Sequence, residues 1–155
     1  MREILFHGKR TDNGEWVEGY LYEHEPPLQC IVSKDYIPEP SRWYIIKTAF
    51  ADWNMPRQVE FIEIDPDTVG QFTGLLDKNG KRIFDRDVLR WVGPDGEVGK
   101  VYVVFAGGVF ALQSVECPLA DPDLFADFEI GEQTLEVIGN IHDNPELLGG
   151  GGADG

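Results

Sequence analysis

The sequence predicts a mainly β protein, with antiparallel hairpins forming a small barrel or sandwich and a few short helical turns. Three observations lead there. Tight-turn signals recur between short runs rich in β-branched and aromatic residues, and helix signals extend no further than about two turns. The composition, 42% hydrophobic and 12% aromatic, is enough to line an interior.

Taken in order, Asp12-Asn13-Gly14 separates Ile4-Leu5-Phe6 from Trp16-Val17-Glu18-Gly19-Tyr20-Leu21. Asn-Gly is expected to supply the positive φ angles of a type I′ hairpin turn. Residues 23–58 are broken up by Pro26, Pro27, Pro38, Pro40 and Pro56, with short strands expected at Ile31-Val32-Ser33 and Trp43-Tyr44-Ile45-Ile46. Asp65-Pro66-Asp67-Thr68-Val69 reads as an N-cap, a proline at the first helical position and one turn. Asp77-Lys78-Asn79-Gly80 repeats the Asn-Gly device before Lys81-Arg82-Ile83-Phe84. Gly93-Pro94-Asp95-Gly96 and Ala106-Gly107-Gly108 punctuate the strands Val88 to Val92, Val98 to Phe105 and Val109 to Leu112. Asp121-Pro122-Asp123 opens a helix of up to two turns, Leu135 to Ile141 is a last strand, and Asn144-Pro145-Glu146-Leu147-Leu148 is a closing turn.

The 155 residues fit a single domain over 1–148, divisible into two lobes at about 1–64 and 65–148, followed by a flexible glycine-rich tail over 149–155. The net charge of -15, from 28 acidic and 13 basic residues, opposes direct nucleic-acid binding and docking to anionic membranes. After Lys100 there are about ten carboxylates and no Lys or Arg. That stretch reads as a solvated surface or as an acidic docking face. Cys30 and Cys117 match no metal or redox spacing and are expected to be reduced and at least partly buried. No apolar run is long enough for a secretory signal or a membrane span, so the chain is expected to be cytoplasmic.

Three stretches carry a family resemblance. They are Arg2 to Lys9 followed by Asn13-Gly14-Glu15-Trp16-Val17-Glu18-Gly19; the segment 64–84, containing Asp65-Pro66-Asp67-Thr68-Val69-Gly70, Thr73-Gly74 and Asp77-Lys78-Asn79-Gly80; and Glu136-Val137-Ile138-Gly139-Asn140-Ile141-His142-Asp143-Asn144-Pro145-Glu146-Leu147-Leu148. In order and spacing the chain resembles the YopX family of bacteriophage and prophage proteins over nearly its whole length. The resemblance implies a phage-derived protein acting inside a bacterial host cell and associated with higher homo-oligomers. It implies no reaction, cofactor or catalytic residue. The chain departs from the family at His7, where Arg is usual, and at Asp85-Arg86-Asp87, where Glu-Gly-Asp is usual. Arg86 in place of glycine points to a looser turn or one of negative φ.

Most motif residues have structural readings. Gly70, Gly74 and Gly80 fall where the chain turns or where backbones approach, and Gly139, next to Asn140, marks a bulge or close packing. Asp65 and Thr68 can satisfy orphan amides of a short turn. Asp85 and Asp87 are weak candidates for holding a divalent cation through carboxylate oxygens. Glu23-His24-Glu25 precedes Pro26-Pro27 in a loop, and His7, His24 and His142 share no ligand spacing. Trp53 and Met55 are the interface candidates, as large apolar side chains in an irregular stretch. With no catalytic constellation and no cofactor motif, the leading function is a non-catalytic binding or assembly protein acting as a homo-oligomer. The alternatives are an acidic decoy that mimics nucleic acid and occupies a host DNA-binding protein, and a metal-dependent enzyme using Asp85 and Asp87.

Overall fold

A computed structural model describes residues 1–27, 33–49, 52–130 and 134–149. Cys30, the expected strand at Ile31-Val32 and the tail from Gly150 onwards lie outside the described residues. The fold is mainly β, and every strand pairing described within its two compact units is antiparallel. Those units are Ile4–Gly70 and Met1–Glu3 with Gln71–Gly155.

In the first unit β1 (Phe6–Lys9), β2 (Trp16–His24), β3 (Arg42–Thr48) and β4 (Val59–Ile64) lie in the order β4-β3-β2-β1. Leu21 pairs with Ile45 and Ile45 with Ile62, so one face gathers a core of Val17, Ile45, Ile62 and Ile64. Two glycines let the sheet coil over this core. A Cβ on Gly19 would meet the Ile46 carbonyl oxygen and come within 2.7 Å of Ile45 Cγ2, and one on Gly8 would come within 2.6 Å of Ile64 Cδ1. The coiling brings the end of β1 to the end of β4. Thr11 N–H donates to Glu63 O at 3.1 Å and Asp65 N–H to Lys9 O at 2.8 Å. Among the described residues no closed barrel forms.

The turn after β1 differs from the expected type I′. Among the described residues Arg86 is the sole non-glycine with positive φ, so Gly14 (φ 72°) is left-handed and Asn13 is not. The Asn13 side chain instead accepts the Glu15 N–H at 2.9 Å, an Asx turn that lets asparagine keep ordinary backbone angles. Between Pro66 and Thr68 the expected single turn forms, as a 3₁₀ turn capped by the Asp65 carboxylate on Asp67 N–H at 3.0 Å.

In the second unit β5 (Gly70–Leu76) pairs with β6 (Arg82–Phe84), while β7 (Asp87–Val92), β8 (Val98–Ala106), β9 (Val109–Ser114), β10 (Asp123–Leu124) and β11 (Thr134–Asn140) form a sheet in the order β10-β9-β8-β7-β11. Ile83, Leu89, Val101, Val103, Leu112, Phe125 and Phe128 make its core. Gly74, at φ 91°, sits where the β5–β6 register shifts between Phe72 and Leu76. The expected irregularity at Gly139 is a register shift between Val137 and Gly139 in β11. The Gly80 and Gly96 turns each place a single left-handed glycine after a 3.0 Å bond across the turn, the bulged type I hairpin. Among the described residues only Gly107-Gly108, with φ 60° and 85°, carries the paired positive angles of type I′.

Three expectations need correction. The helix expected from Asp121 begins later, as α1 (Phe125–Ile130), because Asp123 and Leu124 pair with β9 first. Cys117 is exposed and free, not buried. Arg86 adopts φ 66°, the left-handed conformation a glycine would take, since its N–H reaches Val103 O and its carbonyl accepts Ile141 N–H, both at 3.1 Å.

Candidate binding surface

Side chains alternate across a pleated strand, so the register that puts Leu21, Ile45 and Ile62 inside puts a second set outside. Tyr22 pairs with Tyr44 and Tyr44 with Glu63 in one cross-strand row; Tyr20 pairs with Ile46 and Ile46 with Phe61 in the next; Thr48 pairs with Val59 in a third. The outer face of β2, β3 and β4 is therefore an aromatic and aliphatic patch. The rings of Tyr22, Tyr44 and Phe61 form a triangle with centroids 6.1, 6.3 and 6.4 Å apart, and Phe61 stands edge-on to both tyrosines at 79°. Within the triangle Phe61 is 55% and Tyr22 40% exposed while Tyr44 is half-buried, and beside it Tyr20 is 65% and Val59 59% exposed.

Glu18 and Glu63 border this face, and His24 and Arg42, a cross-strand pair, end it. The Tyr22 hydroxyl lies 3.2 Å from His24 Nδ1. A notch of about 190 Å³, lined by His24, Pro26, Pro27, Glu39, Pro40, Arg42 and Tyr44, adjoins the same end. Among the described residues neither Arg42 nor Glu63 makes an ion pair.

The residues singled out from the sequence go elsewhere. Trp53 and Met55 are 95% and 62% exposed in a turn between β3 and β4, outside the ring triangle. Asp65 and Thr68 are structural: the Thr68 hydroxyl accepts the Lys9 N–H at 2.8 Å and donates to Asp65 O at 2.7 Å. Asn140 serves a turn, its Oδ1 accepting N–H groups of His142 and Asp143 at 3.0 and 2.9 Å. Gly139 lies against the Asn144 side-chain oxygen, and Gly70 is buried at the start of β5.

Asp85 and Asp87 do not form a cation site with a third ligand: no group of three or more His, Cys, Asp or Glu side chains suited to a metal occurs among the described residues. Asp87 is buried and its Oδ2 accepts the Phe84 N–H at 2.9 Å, closing the Arg86 turn. Burial raises the Asp85 carboxyl above the ordinary carboxylate range, against the nearby positive charges of Arg86 and His142. In Asp77 burial pushes the same way, but backbone N–H groups of Val137, Lys81 and Asn79 outweigh it, and its carboxyl titrates below the ordinary range. A cavity of about 240 Å³ lies beside Asp77 in the second unit, walled by Leu75, Ile83, Phe125, Phe128 and Leu135. No helix among the described residues is long and apolar enough to cross a membrane.

Comparison with known proteins adds the following. A family model described as YopX protein matches residues 32–149. The SPbeta prophage-derived uncharacterized protein YopX of Bacillus subtilis (strain 168) is 40% identical over 72 residues, 46% of this chain and 53% of that protein, so the chain aligns with about half the length of that relative. The crystal structure of protein EF1440 from Enterococcus faecalis superposes with a TM-score of 0.52 at 26% identity, covering 96% of this chain and 99% of that one.

Proposed function

Since the chain belongs to the YopX family, whose prophage member from Bacillus subtilis is itself uncharacterised, we propose from the geometry that it is a non-catalytic binding protein acting inside a bacterial cell, with the outer face of β2, β3 and β4 as its docking surface. The observation that carries the reading is the ring triangle of Tyr22, Tyr44 and Phe61, with Tyr22 and Phe61 exposed, Tyr44 half-buried, and Tyr20 and Val59 exposed around it on a folded sheet. Contiguous exposed apolar area of this kind marks interaction sites, and tyrosine and phenylalanine are the side chains interfaces favour. Self-association, the form of binding that the family resemblance implies, would cover this face as well.

A photo-crosslinking amino acid placed at Tyr20 tests the reading in cells that express the chain. A discrete adduct at Tyr20, to another copy or to another protein, that is missing from the same probe at the equally exposed Val98 supports it. Equal adducts at both positions, or none at either, overturn it.

A further inference from the structure

We propose that the cavity in the second unit is a binding site for one small neutral molecule, an apolar ring system carrying a single hydrogen-bond acceptor. The site stands apart from the reading of β2, β3 and β4 as a docking surface and does not depend on it. Size comes first. The cavity holds about 240 Å³. An apolar cavity of about 150 Å³ takes one benzene ring, so the same packing leaves room for about ten non-hydrogen atoms, a fused bicyclic ring. The walls set the body of the ligand. Ile83, Phe125 and Phe128 are buried core, and Leu75 and Leu135 are half-buried against the same cluster. Such side chains give water no hydrogen bonds and give an apolar ring dispersion contacts on several sides.

The mouth sets the polar end. Leu76, Lys78 and Thr134 line the cavity and are exposed. Both carboxylates there are already engaged. Asp77 accepts the N–H groups of Asn79, Lys81 and Val137, and Glu136 is held by Lys78 and Arg90, each at 3.0 Å. Donors are left over. The Thr134 hydroxyl makes no hydrogen bond to another described residue, and the Lys78 ammonium has N–H groups beyond the one on Glu136. Spare donors call for a ligand that accepts. A carboxylate head would add negative charge beside Asp77 and Glu136, and an ammonium head would stand next to Lys78 with the carboxylate oxygens occupied. A neutral carbonyl or ether oxygen meets neither obstacle. The site is also pre-formed. Val137 N–H on Asp77 and Lys78 N–H on Leu135 O tie the β5–β6 turn to β11, and so hold the Leu75 and Leu135 walls in place before any ligand enters.

The test is an NMR titration of the full chain, labelled at isoleucine and leucine methyls, with 1-indanone as the probe. The methyls of Leu75, Ile83 and Leu135 are expected to shift saturably, with a dissociation constant below about 1 mM. Indane, the same ring system without the carbonyl, should bind severalfold more weakly, and indane-1-carboxylate and 1-aminoindane at least tenfold more weakly. Leu135→Trp places an indole in the space and should abolish the 1-indanone response; where that variant fails to fold, Leu75→Trp takes its place. Thr134→Val combined with Lys78→Met, both at exposed positions, should bring 1-indanone down to the affinity of indane and leave indane itself unchanged. The absence of saturable shifts at these methyls in wild type overturns the inference. So does 1-indanone binding that survives in a folded cavity-filling variant. Indane binding as tightly as 1-indanone, or a double variant that keeps the difference between them, overturns the assignment of the acceptor. Tighter binding of the carboxylate or the amine overturns the neutral class.

Discussion

Removing the Asp77 carboxylate should be among the most costly single changes in the second unit. Its Oδ1 accepts the N–H groups of Asn79 and Lys81 at 2.8 and 2.9 Å, and its Oδ2 accepts the Val137 N–H at 3.0 Å. One side chain thus closes the turn between β5 and β6 and clamps it to β11, where Lys78 N–H also donates to Leu135 O at 2.9 Å. Charge-assisted hydrogen bonds contribute about 1.5–3 kcal/mol each, but Asn79 and Lys81 are exposed and their N–H groups would regain water. Val137 is half-buried, so its donor would be left without full compensation. The expected cost of Asp77→Ala is therefore about 2–4 kcal/mol, a fall in melting temperature of roughly 5–15 °C for a chain of this size. Asp77→Asn keeps an acceptor for the turn but aims an amide donor at the Val137 N–H, and should cost about half as much. The pH dependence has a definite sign. The folded carboxyl titrates below its unfolded value, so the stabilisation is fully present above the ordinary carboxylate range and is lost as pH falls through the folded value. Urea unfolding of wild type and both variants from pH 7 down to pH 3 measures it. An Asp77→Ala variant within about 0.5 kcal/mol of wild type at pH 7 refutes the reasoning, since surface substitutions without such a role fall in that range.

Three further outcomes follow from the geometry. Gly19→Ala should destabilise the first unit by about 3 kcal/mol, because the new Cβ meets the Ile46 carbonyl and β2 must move from β3; thermal unfolding reads it. Arg86→Gly should stabilise by about 0.5–1 kcal/mol, the left-handed strain relieved at φ 66° exceeding the extra unfolded-state entropy of glycine; chemical denaturation decides the sign. Asp85→Asn should raise stability at neutral pH, because the folded carboxyl titrates above its unfolded value and ionising it works against the fold. That advantage should shrink as pH is lowered through the raised folded value and be gone below the unfolded one, so a variant indifferent to pH would contradict the assignment.

The turns carried most of what was legible in the sequence. Gly14, Gly80, Gly96, Gly107 and Gly108 all occupy the left-handed region, as punctuation between apolar runs leads one to expect. The hand of the asparagine turns was not legible, because a side-chain acceptor two residues away substitutes for a second positive φ and leaves the same Asn-Gly signature. Strand β4 was not legible because of the composition of its outer face. Val59, Phe61, Ile62 and Ile64 are apolar on both faces of the strand, so the alternation that marks a half-buried strand is blurred where the outer face is itself apolar. Tyr20 and Tyr22 held a usable signal, two aromatic residues at period two opposite Val17, Gly19 and Leu21, but it becomes a surface only when the register sets Tyr44 and Phe61 beside them. Trp53 drew attention by size alone. Arg86 misled because residue type speaks to preferred backbone angles, whereas the paired bonds to Val103 and Ile141 hold this position whatever side chain it carries.

Oxidative footprinting read by mass spectrometry compares Tyr20, Tyr22 and Phe61 in cells expressing the chain with the same residues in dilute purified protein. The account expects these three to be protected in the cell while Val98 and Phe105, exposed in the second unit, react equally in both settings. Equal oxidation of Tyr20, Tyr22 and Phe61 in cell and in dilute solution would contradict it.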